Sequence, residues 1–362
     1  MNWVVGGLLR DLAAIQTSPQ KTFGYKRAAA AVLTLERPLT ELIESDGTLA
    51  RISGIGPAST RVILEVLQTG RSASVDDAVA ASGKAADIAR RRQLRANFLS
   101  PAEVVRILGD ESLGGPRRDE YRGDLQMHSE SSDGVPTCDE IAEACIARGY
   151  SYAAVTDHSY GLAIAGGMSM TEADEQHRAI DRINAAHGRT FRLIKGIEAN
   201  IASDGSLDLT AEEAARFELV LAAPHSKLRS PDDQTARLTR AIRNPAVRIL
   251  AHPRGRMSSS RAGIAASWDA VFETAAAEGV AVEIDGDPAR QDLDFTLARR
   301  ARNAGCLFAL DSDAHTTAQL RYAETAIAHA RLAGISPERI VNCWPLERLL
   351  AWLSDRSPTQ MR

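Results

Sequence analysis

Short apolar runs recur through the second two-thirds of the chain, and most of them end on a histidine or a carboxylate. Residues 122–127 lead into His128, Tyr152–Thr156 into Asp157-His158, and Phe191–Ile197 into Glu198. Leu219–Pro224 lead into His225, Val247–Ala251 into His252, and Leu307–Leu310 into Asp311-Ser-Asp313-Ala-His315. With Val282–Gly286 these make seven predicted strands, six of which run into His, Asp or Glu. Helical patterns lie between and after them: Thr137–Arg148, Thr171–His187, Asp232–Ile242, Trp268–Glu278, Phe295–Ala304 and Pro345–Leu353. Strands alternating with helices build a parallel sheet, and in a parallel barrel all carboxyl ends open on one face, where chemistry is placed.

The first 115 residues read differently. Leu8, Leu9, Leu12, Ile15 and Ala28–Leu33 have helical spacing, punctuated by Pro38 and Pro57. Ile52-Ser-Gly54-Ile-Gly56 falls between Leu42…Leu49 and Val62–Leu67, a tight turn between short amphipathic helices. Its backbone N–H groups at a helix start can hold a phosphate; the plain alternative is a connecting turn. The pattern as a whole predicts an α/β protein: a distorted (β/α)7 barrel over 119–362, an all-α domain over 1–72, and a helical connector over 73–118.

Composition narrows this little. At 362 residues with 44% hydrophobic and 25% charged positions, the chain is ordinary for a globular protein. No run reaches the length of a membrane span, and the start lacks the basic region of a signal peptide. Cys138, Cys145, Cys306 and Cys343 form no Cys-x-x-Cys pair and read as reduced thiols, which points to the cytoplasm. Net charge is −4, with residues 1–115 carrying 14 Lys/Arg against 12 Asp/Glu. Charge alone therefore does not argue for tight DNA binding. The run Arg90, Arg91, Arg92, Arg95 reads as either a solvated helix face or a DNA contact.

Five of the eight histidines sit at strand ends among carboxylates, the donor set of borderline metals. Gln126 and His128 share one side of their strand, and Asp133-Gly134 follows on the loop. Lys227, Arg229, Arg254 and Arg256 follow His225 and His252; among them Arg254 and Lys227 are candidates for a substrate phosphate. His177, His187 and His329 fall within helical stretches and read as surface or packing residues.

Thr156-Asp-His158, Gly196-Ile-Glu198, Pro224-His225-Ser226, Ala251-His252-Pro253 and Ser312-Asp-Ala-His315 resemble, in order, the motifs of the PHP (polymerase and histidinol phosphatase) metallohydrolases. The resemblance covers about residues 120–355. Asp124-Leu-Gln-Met-His-Ser129, Ala165–Ser169 and Val282–Gly286 look like the PHP domain of bacterial family X DNA polymerases. Ser53-Gly-Ile-Gly56 looks like the helix-hairpin-helix domain at the start of those enzymes. Too few residues join the two for a polymerase core, so the chain is not read as a polymerase. Most of the family begins its first motif with His-x-His, whereas Gln126 stands here as a weak ligand. Val62 occupies the position of the lyase lysine of eukaryotic relatives, so no Schiff base is expected.

The resemblance implies two to three divalent ions (zinc, manganese or iron). One would be held by His128, Glu198 and Asp313, a second by Glu198, His225 and His252, a third by Asp133, His158 and His315. Catalysis would centre on Glu198, Asp313 and His128, with a metal-bound hydroxide as nucleophile. The leading expectation is a phosphoesterase processing DNA 3′ ends in repair, in the manner of a 3′–5′ exonuclease, with Gly54, Gly56, Arg90 and Arg91 contacting DNA. Two alternatives remain: a small-molecule phosphatase of the histidinol-phosphatase type, and a non-catalytic DNA-binding adaptor.

Overall fold

The computed structural model describes residues 1–355. The chain divides into two compact units, Met1–Asp110 with Ser258–Ser260, and Glu111–Met257 with the residues from Arg261 onward.

The first unit is helical, with helices at Asn2–Ile15, Pro19–Leu33, Pro57–Thr69, Ala73–Ala81, Ala85–Leu94 and Pro101–Leu108. Val5, Leu9 and Leu12 on the first helix and Val62, Ile63 and Val66 on the third repeat at helical spacing and bury into one core. Val75, Val79 and Ile88 join that core, so the helices expected as a connector pack as part of this unit. The helix expected before the glycine turn does not form. Leu39–Leu42 is a 3-10 turn, and Ile43 bridges to Leu49 around Asp46-Gly47, where Asp46 Oδ1 accepts from Thr48 N at 2.9 Å. An Asp-Gly pair favours such a reversal over a continued helix. Gly54 has φ +86, which only glycine adopts readily, and Gly56 caps helix Pro57–Thr69 with no side-chain bond to its first amides.

The arginine run divides by role. Arg92 and Arg95 hold the buried Asp11, Arg92 Nε at 2.7 Å. Arg90 and Arg91 stay on the surface, 2.7 and 2.8 Å from the two oxygens of Asp87.

The second unit is built on six strands: β1 (Tyr152–Val155), β2 (Arg192–Asn200), β3 (Leu219–Ala223), β4 (Val247–Leu250), β5 (Ala281–Asp285) and β6 (Leu307–Asp311). They lie side by side in chain order and every neighbouring pair is parallel. The first of the seven predicted strands forms no regular ladder. Residues 122–128 instead run between the two edge strands. Asp124 O and Met127 O accept from Ala154 N (2.9 Å) and Thr156 N (2.8 Å), while His128 N donates to Ala314 O at 2.9 Å. Side chains replace the missing ladder bonds: Asp311 Oδ1 accepts from Leu125 N at 2.8 Å, and Asn342 Nδ2 donates to Gly123 O and Leu310 O at 2.9 and 3.0 Å. The result is a curled, distorted barrel of six strands and one irregular segment.

Leu125, Tyr152, Ala154, Ile194, Leu221, Ile249 and Ala309 share one core cluster with Trp344 and Trp352 from the last helix and the segment before it. Surrounding helices start on side-chain caps such as Thr137 with Glu140 and Ser169 with Glu172, which satisfy the first amides and fix where each helix begins.

Candidate metal centre

The carboxyl ends of the strands converge on one buried carboxylate. Glu198, near the end of β2, is 1% exposed. Its Oε1 lies 3.1 Å from His225 Nε2 and 2.8 Å from His252 Nε2. Its Oε2 lies 3.3 Å from both His128 Nε2 and His158 Nδ1. Each oxygen therefore faces a different pair of imidazoles.

The other carboxylates complete the constellation. Asp313 Oδ1 is 3.1 Å from His128 Nε2. Asp133 Oδ1 lies 3.5 Å from His158 Nε2, 3.3 Å from His315 Nε2 and 3.8 Å from His128 Nδ1. Three donor groups follow: His128, Glu198 and Asp313; His158, Glu198 and His225; and His128, Asp133, His158 and His315. The first matches the expected set. In the other two the sharing differs, because His128 and His158 each turn one ring nitrogen toward Glu198 and the other toward Asp133. His252 meets Glu198 Oε1 from the side of His225.

The local backbone is shaped for this convergence. A Cβ on Gly134 would lie 2.2 Å from His128 O, so the loop carrying Asp133 closes only with glycine there. Lys227, His252, Gln291 and Asp313 have positive φ, four of the five non-glycine residues that do so among the described residues. Such backbone costs on the order of 1–3 kcal/mol per residue and persists where the surroundings over-determine it. Asp157 pins the loop after His128, accepting from Ser129 N (2.8 Å), Ser129 Oγ (2.6 Å) and Gln176 Nε2 (2.5 Å).

The polar atoms fit bound cations. Gln126 is fully buried, yet neither amide atom has a hydrogen-bond partner, and the same holds for His128 Nδ1, His158 Nδ1 and Glu198 Oε2. Leaving such atoms unpaired costs roughly 1–3 kcal/mol each unless a bound group satisfies them. Burial works against the charge on Glu198, but the surrounding imidazoles of His158, His252, His128 and His225 hold its pKa well below the ordinary carboxylate value. Burial likewise opposes ionisation of Asp313, and the Arg290 guanidinium and His128 outweigh it, keeping the pKa low. Both carboxylates stay ionised, as ligands for cations must.

Of the residues singled out for a phosphate, Lys227 is exposed. Arg254 is engaged instead: its backbone N donates to Asp292 Oδ2 at 3.0 Å and its Nη1 to Asp294 Oδ2 at 3.3 Å. Arg256 is buried and donates to Arg290 O and Gln291 O. A cation missed in the sequence stands closer to the cluster. Arg290, on the loop after β5, places Nη1 2.6 Å from Asp313 Oδ2 and 3.8 Å from Asp285 Oδ2, with 27% of its side chain exposed. The signal for it was that β5 alone among the predicted strands ends without a ligand.

Residues 124–284 match the model of the PHP domain. Over 235 residues, 65% of the chain, the sequence is 36% identical to the DNA polymerase/3'-5' exonuclease PolX of Bacillus subtilis, of whose length it spans 41%. Over 248 residues it is 29% identical to the probable phosphatase YcdX of Escherichia coli, spanning 95% of that protein. Among solved structures, histidinol phosphate phosphatase from Lactococcus lactis, complexed with zinc, L-histidinol and phosphate, aligns over 58% of this chain and 94% of its own, at 15% identity and TM-score 0.44. The domain match falls on the strands whose ends supply Gln126, His128, Asp133, His158, Glu198, His225 and His252, so the part of the barrel that carries these residues is similar to the PHP domain.

Proposed function

We propose that the barrel is a metal-dependent phosphoesterase that hydrolyses phosphate esters. The observation that carries this reading is the two-sided coordination around Glu198, whose oxygens each face two imidazoles. Two or three divalent cations (zinc, manganese or iron) would be held by His128, Asp133, His158, Glu198, His225, His252, Asp313 and His315, with Gln126 adjacent. Bound there, they supply Lewis acidity and lower the pKa of the water they hold. Glu198 would offer one oxygen on the side of His225 and His252 and the other on the side of His128 and His158. Asp313 turns one oxygen to the cluster and the other to Arg290. Arg290 then offers a guanidinium beside the cluster to the non-bridging oxygens of a substrate phosphate, a pairing suited to its planar donors. Lys227 is exposed and Arg254 is paired with Asp294, so both are kept only as secondary candidates for the phosphate.

The finer proposal is that the ester is a DNA 3′ end and that the helical unit supplies DNA affinity through Gly54, Gly56, Arg90 and Arg91. Its support is the likeness to a polymerase-exonuclease over the barrel and the uncapped amides of helix Pro57–Thr69. A small-ester phosphatase is the second reading, supported by the span of the YcdX likeness. The test is to incubate manganese- or zinc-loaded protein with 3′-labelled single-stranded and gapped DNA beside histidinol phosphate. Consumption of DNA alone supports end processing, consumption of histidinol phosphate alone favours the small-ester reading, and hydrolysis of neither would remove the esterase proposal.

A further inference from the structure

His329 lies on helix Ala323–Ala333 and has no exposed surface. Its Nδ1 takes the backbone N–H of Phe295 at 3.1 Å. A backbone amide is always the donor, so Nδ1 carries no proton and the neutral ring bears its hydrogen on Nε2. Nε2 lies 2.8 Å from Gln291 Oε1, which must then be the acceptor. The Phe295 ring stacks on the imidazole, with ring centres 5.9 Å apart and an interplanar angle of 19°. Burial and the nearby Arg256 push the His329 pKa down to about 3, so the ring stays neutral over the working pH range.

Gln291 is the residue after Arg290. Its backbone is left-handed, φ +46, an unfavourable conformation that needs support from outside the loop. Its main chain is held from two sides: Gln291 N donates to Asp287 O at 2.8 Å, and Arg256 Nη2 donates to Gln291 O at 2.7 Å. Its side chain, 1% exposed as a whole residue, is held by His329. The path from helix Ala323–Ala333 to the metal cluster is therefore short and continuous: His329 to Gln291, Gln291 to Arg290, Arg290 to Asp313.

We propose that His329 is a positioning residue for the loop after β5, its Nε2–H anchoring Gln291 and thereby fixing the direction from which Arg290 reaches a substrate phosphate. This rests on the reading of Arg290 as the phosphate-binding cation. The two nitrogens can be separated by substitution, because an asparagine amide falls near the Nδ1 position and a glutamine amide near Nε2. His329→Asn keeps the contact to Phe295 and loses the one to Gln291; His329→Gln does the reverse.

The experiment uses the full chain loaded with manganese, with hydrolysis of p-nitrophenyl phosphate, inhibition by inorganic phosphate, calorimetric phosphate binding, metal content and thermal melting measured on each variant. His329→Asn should raise KM and the phosphate inhibition constant about tenfold, with kcat within about threefold of wild type and metal content unchanged. His329→Gln should stay within about threefold on both constants even where its melting temperature falls. Gln291→Met breaks the same bond from the other side and should behave as His329→Asn does, which keeps the test decisive if asparagine at 329 does not fold. Equal losses in both His329 variants, following stability rather than the nitrogen retained, would overturn the proposal. So would wild-type binding of phosphate that is lost in Arg290→Ala but kept in His329→Asn and Gln291→Met, and that result leaves the Arg290 reading intact. Wild type that neither binds phosphate nor hydrolyses the ester removes the Arg290 reading and this inference together.

Discussion

Arg290 and Asp313 meet at 2.6 Å through the carboxylate oxygen that does not face His128. One carboxylate is thus shared between a cluster built for cations and a fixed guanidinium. Asp313 holds a left-handed backbone to do so, φ +52. The pairing places a permanent positive charge beside the proposed ions without using a ligand atom. Arg290→Lys should keep the charge but lose the planar donors, raising KM for a phosphate monoester by roughly tenfold, and Arg290→Ala by more. Metal content measured by elemental analysis should not fall in either variant. Loss of metal in step with activity would make Arg290 a support for Asp313 alone.

Metal occupancy is the next expectation. Protein purified without chelator should hold two to three transition-metal ions per chain, and dialysis against a chelator should abolish ester hydrolysis, with recovery on adding Mn²⁺ or Zn²⁺. Because the ligands would hold together the ends of five strands and the irregular segment at 122–128, the stripped protein should also melt at a lower temperature. Unchanged activity after verified removal of metal would end the esterase reading.

Glu198 and Gln126 should differ in weight. Glu198→Ala removes the carboxylate that faces four imidazoles and should cost about a thousandfold or more in kcat/KM. Gln126→Ala removes a neutral amide and should cost about tenfold or less at saturating metal. Steady-state kinetics at several metal concentrations separate a weaker site from a lost one. Equal losses would mean that the ions are arranged differently.

Acid sensitivity follows from His329. Burial and Arg256 hold its folded pKa at about 3, below the value of about 6.5 expected in the unfolded chain. The unfolded state therefore takes up a proton first as pH falls. The stability linked to the neutral ring is complete above about pH 6.5 and is lost progressively toward pH 3. His329→Leu lacks this proton, so its stability should depend less steeply on pH in that window, by up to about 1.4 kcal/mol per pH unit. Denaturant unfolding of both chains at several pH values checks it, and equal slopes would show His329 to be protonated in the fold.

Arg90 and Arg91 share Asp87 at the surface, while Arg92 and Arg95 are committed to Asp11. If the helical unit binds DNA, Arg90→Ala with Arg91→Ala should weaken binding to gapped DNA and flatten its salt dependence, since up to about two fewer counterions are released. Hydrolysis of a small reporter ester should not change. Fluorescence anisotropy across a salt series measures the slope, and an unaltered slope would leave those arginines out of the interface.

The strand–helix alternation and the ligand-bearing ends of six runs were legible in the sequence, because both are local: side-chain periodicity marks the elements, and a parallel barrel puts every strand end on one face. His128, His158, Glu198, His225, His252, Asp313 and His315 could be named from that alone. Other features depend on partners far apart in the chain. Residues 122–128 pattern as a strand, but Asp311 and Asn342, 186 and 219 residues beyond their partners, supply the bonds that a ladder would have made. Leu42–Leu49 carries helical spacing, and an Asp-Gly reversal prevails over it. Arg254 and Arg290 look alike on paper; the fold sets one against Asp294 and the other against Asp313. His329 reads as packing until Gln291 and Phe295 occupy its two nitrogens. What the sequence by itself determined is which residues stand at the mouth of the barrel. Which nitrogen faces which oxygen, and which cation is left beside the cluster, only the tertiary structure decided, because a charge or a polar atom takes its role from the nearest partner in space, and that partner is set by the packing of the whole barrel.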